Sequence, residues 1–392
     1  GNLEDNIMDF QLDKKHTMAQ SLFKDFAEKE VKPLAIDTDE TEEFPRVTVD
    51  KMAKNGFLGI AIPEQYGGQG CDPLTYVMCV EELAKVCGTT SVIVSAHSSL
   101  CCDPILHYGT EEQKQKYLVP LAKGEKLGAF GLTEPGAGTD AQGVQTKAVL
   151  SEDGKEWILN GSKCFITNGK EADVYIIIAY TDVVETKRGK QKKFTAFIVE
   201  KGTEGFTFGT KEHKMGIRGS ATYELIFQDC HIPAENQLGP RGKGFPIAMG
   251  TLDGGRIGIA AQALGIAQGA IDEAVAYVKQ RKQFGRPIAK FQNTQFQLAD
   301  MQTKTDAARW LVYSAATAKQ EGRPYTQLAA EAKLFAAETA MEITTKAIQL
   351  LGGYGYTRDL PVERMFRDAK ITEIYEGTSE VQRMVISGAM LK

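Results

Sequence analysis

A chain of 392 residues is too long for one compact core and predicts two or three packed units. With 42% hydrophobic and 25% charged residues it has the composition of an ordinary globular protein, and its net charge of −5 argues against nucleic-acid binding, which needs a basic face. No apolar run reaches membrane-spanning length, and the cysteines and histidines lack metal-ligand spacing, so neither membrane insertion nor a metal site is expected.

Met8 reads as a natural start, with residues 1–7 preceding the fold. No signal or transit pattern is evident, and the thiols read as reduced packing residues. Residues 8–127 read as helices. In "DPLTYVMCVEELAKVCG", Asp72 caps the N-terminus, Pro73 suits the first turn and Gly88 can end the helix. Thr110 with Gln113 forms a capping-box pattern. From 128 to 235 short β-branched and aromatic runs ("YIIIAYTD", "KFTAFIVEK", "GFTFG", "ATYELIFQD") predict a small antiparallel β domain. From 236 to 392 helices return. The glycines of the long helix after Phe245 suggest close approach of other helices or of a ligand. Leu298, Met301, Thr305, Ala308, Val312 and Ala315 form one bundle seam; Ala332, Phe335, Ala336, Thr339, Ala340 and Ile343 form another. The fold class is α+β, mainly α.

Glu376 stands in "IYEGTSE", a break between two helical segments, with Gly377 as a stop and Ser379 with Gln382 as a capping box for the last helix. A pocket formed by its apolar neighbours would raise its pKa toward that of a base, while the adjacent helix N-terminus would stabilise the anion. A solvated loop residue in a cap or ion pair is the alternative. The run "FGLTEPGAGTD" (130–140) can aim backbone N–H groups and hydroxyls at one ligand, or be a turn-rich linker; it is neither a Walker loop nor a Rossmann fingerprint. Phe165 in "KCFITNG" can stack on a planar ring or lie in the core. Arg256 in "DGGRIG" can meet an anionic partner or form a surface ion pair. The stretches "RKQFGRP" and "QLLGGYG", with Gln292, offer cations, amides and close backbone approach.

Together "LTEPGAGTD", "FITNG", "LDGGRIG", "RKQFGRP", "LLGGYGY" and "IYEGTSEVQ" occur in the order and approximate spacing of the acyl-CoA dehydrogenase family, which the chain resembles from Met8 onward. The resemblance is strongest to the bacterial short-chain, butyryl-CoA type. It implies an N-terminal helical domain, a middle β domain and a C-terminal four-helix bundle, assembled as a homotetramer, a dimer of dimers. It implies FAD as cofactor, an acyl-CoA substrate, an electron-transferring flavoprotein as partner and a bacterial cytoplasmic location. Glu376 matches the catalytic base, which takes the α proton while a hydride passes to flavin N5; its backbone N–H helps bind the thioester carbonyl. Phe130, Leu132, Thr133, Gly138, Thr139, Phe165, Ile166 and Thr167 match flavin-holding positions, with Phe165 standing where many relatives have Trp. Arg281, Phe284, Gln292, Gln349, Leu350, Gly352 and Gly353 match FAD contacts made across the dimer, and Thr378 and Glu380 match contacts near the pyrophosphate. Thr139, Asp253, Arg256, Tyr375 and Gly377 match substrate-contacting positions. Some relatives carry the base at the position of Gly255, so Gly there with Glu at 376 disfavours the isovaleryl and long-chain types. Other acyl specificities, an acyl-CoA oxidase, a flavin-bearing nucleic-acid-protection protein and a non-catalytic scaffold are the competing readings.

Overall fold

The computed structural model describes residues 10–392, so the expected start at Met8 lies outside the described residues. The N-terminal part holds helices α1 (Lys14–Phe26), α2 (Ala35–Thr41), α3 (Arg46–Lys54), α4 (Pro73–Ala84), α5 (Gly88–Ser95), α6 (Asp103–Tyr108), α7 (Glu111–Gln113) and α8 (Val119–Ala122). A π-helical stretch, Ala96–Cys102, joins α5 to α6. Asp72 caps α4 through the Thr75 N–H at 2.7 Å, with Pro73 in the first turn. The Thr110–Gln113 capping box is formed in both directions. Gly88 departs from its expected role. It does not stop α4, which ends at Ala84, but opens α5. Tertiary contact selects glycine there, because a Cβ would lie 2.9 Å from Asp368 Oδ2.

The middle of the chain forms strands β1 (Gly128–Gly131), β2 (Lys147–Leu150), β3 (Glu156–Thr167), β4 (Val174–Thr186), β5 (Gly189–Glu200), β6 (Phe206–Lys211), β7 (Thr222–Pro233) and β8 (Gln237–Leu238). They form one sheet, in the order β6-β7-β3-β2-β4-β5-β8, with β1 also on β4. Most pairs are antiparallel, as expected, but β1 and one position of β2 run parallel to β4. Sequence texture does not reveal direction, and the long excursion through β2 and β3 supplies the crossover that a parallel pair needs. The apolar run at the start of β4 is explained by burial on both faces. Val174, Ile176 and Ile178 pack toward the N-terminal helices, and Tyr175, Ile177 and Ala179 toward the other side of the sheet. The sheet continues to Leu238, past the expected change of texture at 235.

The remainder comprises α9 (Gly244–Gln280), a hairpin of β9 (Lys282–Gln283) and β10 (Arg286–Pro287), then α10 (Gln292–Gln320), α11 (Thr326–Leu351), α12 (Val362–Ile371) and α13 (Ser379–Met390). Helices α9 to α12 share one hydrophobic core with α1 and α4. The glycines of α9 allow that contact. A Cβ at Gly265 would meet the Glu81 carbonyl at 2.3 Å, and one at Gly269 the Lys85 carbonyl at 2.2 Å. The α10 seam is buried from Met301 to Ala315, and Thr305 satisfies its hydroxyl on the Met301 carbonyl. The α11 seam departs from expectation at one position: Phe335 is 37% exposed, whereas Lys333 is 1% exposed.

Asp368 on α12 is buried, and its Oδ1 accepts the Ile217 N–H at 2.6 Å. Burial pushes its carboxyl up to about 6, against the opposing effects of that N–H and of Arg364. The folded value lies above the unfolded one. The ionised side chain therefore costs stability above about pH 6 and nothing below the unfolded pKa. In urea unfolding across pH, Asp368→Asn should gain on the wild type as pH rises from about 4 to about 6 and hold that gain above it. A pH-independent difference would show that the carboxyl titrates normally.

Candidate active site

Helix α12 stops at Ile371, and residues 372–378 form the connection to α13. Gly377 is therefore not the helix stop expected of it. The chain instead turns left-handed at two successive residues, Glu376 with φ +54° and Gly377 with φ +91°. The capping box is also displaced. Thr378 is the cap, its hydroxyl accepting the Val381 N–H at 3.2 Å, and Ser379 is already inside the helix with its hydroxyl buried and without a partner among the described residues. Both residues have capping chemistry; the extended ψ of 166° at Thr378 decides between them. Gln382 turns back to the connection, donating to the Gly377 carbonyl at 2.8 Å and the Glu376 carbonyl at 3.4 Å.

Two further side chains hold this segment. Lys333 of α11 donates to the carbonyls of Tyr375, at 2.6 Å, and Gly377. Arg256 of α9 donates through Nε to the Glu376 carbonyl at 3.4 Å. The Glu376 N–H has no acceptor among the described residues. The Glu376 side chain forms no ion pair there either, and its Oε2 is buried without a partner, which removes the solvated-cap alternative. Burial raises the Glu376 pKa well above the ordinary carboxylate value, and Lys333 and then Arg256 pull it partly back.

The carboxylate faces α9 at a glycine. A Cβ on Gly255 would lie 2.7 Å from Glu376 Oε1 and 2.8 Å from Leu100 of the π-helical stretch. One turn along α9, a Cβ on Gly258 would meet Ser95 Oγ at 2.4 Å and the Tyr76 hydroxyl at 2.8 Å. Arg256 is buried rather than a surface residue, paired with Asp253 at 2.9 Å; Asp253 in turn accepts from Thr326 at 2.7 Å. The Tyr375 hydroxyl bonds Gln262, and its ring packs beside Ile217 and Ile259. Asp253, Arg256, Tyr375 and Gly377 thus converge with Glu376. Thr139 lies on an exposed loop, outside the hydrogen bonds of this cluster.

The segment from Phe130 to Thr139 meets the end of β3. The Thr133 carbonyl accepts the Cys164 N–H at 2.9 Å. Next to it Phe165 adopts φ +56° at a bulge against β7, and its ring is 63% exposed, not in the core. Thr133 and Thr167 are half-buried beside it, and Gly138 is exposed. The side chains of Phe130, Leu132 and Ile166 are buried in the cores, so these residues offer a ligand chiefly backbone. Beneath the rim lies an ion pair that sequence reading missed. Lys163 Nζ, fully buried, meets Glu134 Oε2 at 2.7 Å and the Leu132 carbonyl at 3.1 Å, while Glu134 accepts the N–H groups of Gln145 and Thr146. An exposed aromatic ring, flanking hydroxyls and a rigid backbone fit a planar heteroaromatic cofactor.

A cavity of about 480 Å³ brings together Arg281, Gln349, Leu350, Gly352 and Gly353, with Tyr277 and Tyr354 in its wall. It lies at the far end of α11, about 24 Å along the helix from Lys333 at 1.5 Å per residue. Phe284 projects from the hairpin, 93% exposed at φ +55°, and Gln292 is exposed; neither lines the cavity. Thr378 and Glu380 stay with the Glu376 connection. Among the described residues no group of His, Cys, Asp or Glu is arranged to hold a metal ion, and no helix is long and apolar enough to cross a membrane.

Sequence reading also missed Lys333. The signal available was position: with Ala329, Ala336 and Ala340 it keeps the four-three-four spacing of a buried seam. A buried carboxylate of raised pKa, next to a backbone N–H free to donate, suits abstraction of a proton α to a carbonyl.

Comparison with known proteins agrees with this chemistry. Three family models match in succession: acyl-CoA dehydrogenase N-terminal domain over residues 13–125, middle domain over 129–230 and C-terminal domain over 242–391. The chain is 60% identical over 385 residues to a short-chain specific acyl-CoA dehydrogenase of Clostridium acetobutylicum, covering 98% of this chain and 100% of that protein. It is similar to the structure of butyryl-CoA dehydrogenase from Megasphaera elsdenii, with TM-score 0.95 and 54% identity over 98% of this chain and 100% of the other. A chain from a structural study of the electron transferring flavoprotein of Acidaminococcus fermentans matches with TM-score 0.94 and 56% identity, again over 98% and 100%.

Proposed function

The chain belongs to the acyl-CoA dehydrogenase family, whose members depend on FAD, and on that premise we propose that it interconverts butyryl-CoA, or a similar short acyl-CoA, with its α,β-unsaturated counterpart. When bound, FAD supplies the acceptor for the hydride that leaves the β carbon. The Glu376 carboxylate takes the α proton, and the Glu376 N–H donates to the thioester carbonyl, where negative charge develops. Asp253, Arg256, Tyr375 and Gly377 bound the substrate channel. Leu132, Thr133, Gly138, Phe165 and Thr167 hold the flavin, with Thr139 between flavin and substrate and Thr378 and Glu380 near the pyrophosphate. Arg281, Gln349, Gly352 and Gly353 serve the flavin of a second copy. Their separation from Glu376 along α11 supports that division, as do the exposed Phe284 and Tyr356 close by in sequence.

The observation that carries this reading is that one residue combines a carboxylate whose buried Oε2 has no partner with an N–H that has no acceptor among the described residues. The short-chain preference is supported by the closure at Gly258, only about 4.5 Å along α9 from Gly255. The groups at that closure are hydroxyls, and Lys319, which shares a cavity with Tyr76 and Ser99, is already paired with Asp103, so a glutaryl substrate's distal carboxylate is offered no free cation among the described residues. Electrons pass to or from an electron-transferring flavoprotein in this reading, and the assembly is a homotetramer. A cytoplasmic location accords with seven free cysteines, all buried except Cys71.

The test is anaerobic addition of butyryl-CoA to the flavin-loaded protein. The flavin absorbance should bleach, and kcat/KM should fall at least about tenfold from a four-carbon to an eight-carbon acyl chain, the order expected when a pocket has no room for further methylenes. Equal rates for both would sink the short-chain assignment, rapid oxygen uptake would indicate an oxidase, and an unbleached flavin would sink the reading itself.

A further inference from the structure

Three successive carbonyls of the Glu376 connection are gathered by side chains from three helices: Lys333 of α11 on residues 375 and 377, Arg256 of α9 on 376, and Gln382 of α13 on 376 and 377. Lys333 is the most costly of these to maintain. Its ammonium is 1% exposed in a seam otherwise lined by alanine, a place that Met or Leu would fill better if packing were its only role.

Its grip has a geometric consequence. The Tyr375 carbonyl and the Glu376 N–H belong to one peptide plane, and that peptide is trans. A carbonyl held toward Lys333 therefore directs the Glu376 N–H to the opposite side, away from α11. The second bond, to the Gly377 carbonyl, closes the left-handed turn at Glu376 and Gly377, a conformation that costs a non-glycine residue free energy and persists only when its surroundings enforce it.

We propose that Lys333 is a positioning residue for the reaction: by holding the Tyr375 and Gly377 carbonyls it turns the Glu376 N–H toward the substrate carbonyl, and by its charge it keeps the Glu376 carboxylate available as a base. The inference rests on the reading of Glu376 as that base. The charged groups around the ammonium are Glu376 and Glu373 of the connection and Arg256 of α9, the last already paired with Asp253. Burial lowers the Lys333 pKa and raises that of Glu376, while each group's charge favours the charged form of the other.

The test measures exchange of the butyryl-CoA α proton in D2O, anaerobically, with flavin-loaded wild type, Lys333→Met and Lys333→Gln. Lys333→Met should keep its FAD and bind butyryl-CoA within about threefold of wild type, yet exchange about 100-fold more slowly, the scale of losing a preorganised donor. Lys333→Gln, which can still donate to a carbonyl but carries no charge, should fall between the two. In both variants the pH at which exchange sets in should move upward, because the base has lost an attractive neighbour. Exchange within about threefold of wild type, at an unchanged pH midpoint, in whichever variant retains FAD would overturn the proposal. Failure of both variants to fold would also overturn it, making Lys333 a residue of stability alone. Absence of exchange in the wild type would instead discard Glu376 as base, and so separates the two readings.

Discussion

Glu376→Gln is expected to slow flavin bleaching on anaerobic addition of butyryl-CoA by about 10²–10⁴, the range for removal of a positioned general base. The variant should still bind substrate, because the backbone N–H and the Arg256–Asp253 pair remain. It should also fold. Glu376 Oε2 has no hydrogen-bond partner to lose, and an amide at that site avoids the cost of a buried charge. The wild-type rate gives an independent check. The base acts only when ionised and its pKa is raised by burial, so the rate of flavin reduction should climb through an inflection above the ordinary carboxylate range and level off at higher pH. Bleaching of Glu376→Gln at the wild-type rate would move the base elsewhere while leaving the family intact.

Lys163→Met is expected to cost about 3–5 kcal/mol of stability, the scale for breaking a buried ion pair by removing one partner. Burial alone would push the Glu134 carboxyl up, but Lys163, with the hydrogen bonds from Thr146 and Gln145, holds it below its ordinary value. Burial lowers Lys163 itself to about 8 even with Glu134 beside it, so the pair is held against a real desolvation cost. Without the ammonium, Glu134 is an uncompensated charge and the Leu132 carbonyl loses its donor. Because these groups carry the rim on which Thr133 and Phe165 stand, loss of flavin should accompany the fall in Tm. Adding Glu134→Gln should recover part of the loss, since it removes the uncompensated charge, but its single amide oxygen can replace only one of the two carboxylate oxygens that accept the Gln145 and Thr146 N–H groups. A double variant no more stable than Lys163→Met would show that the charge was not the source of the damage. Thermal unfolding and flavin content on the same samples decide it.

The local signals in the chain were legible where one residue could play one role. Asp72 and Thr110 are the caps that their spacing implies, and the four β-branched runs are strands. They misled where neighbouring residues were chemically equivalent. Thr378 and Ser379 can both cap, and only the direction of the chain leaving Glu376 selects the first. Gly88 and Gly377 can both stop a helix, yet one admits Asp368 at close range and the other completes a left-handed turn. Lys163, and Lys333 despite its place in the seam spacing, read as surface residues until their surroundings are known; each is buried by elements far away in sequence.

Periodicity and composition by themselves determined the order of helices, sheet and helices, because amphipathic spacing and β-branched content depend on a few neighbouring residues. The motif order determined the family and pointed to Glu376 through resemblance. What the tertiary structure alone decided is the electrostatic state of that residue and the direction of its N–H. Those depend on how completely α9, α11 and α13 exclude water from residues 375–377, and on which donors they bring to its carbonyls. Burial and long-range Coulomb attraction are properties of distance in space, and distance in space is set only when the helices pack.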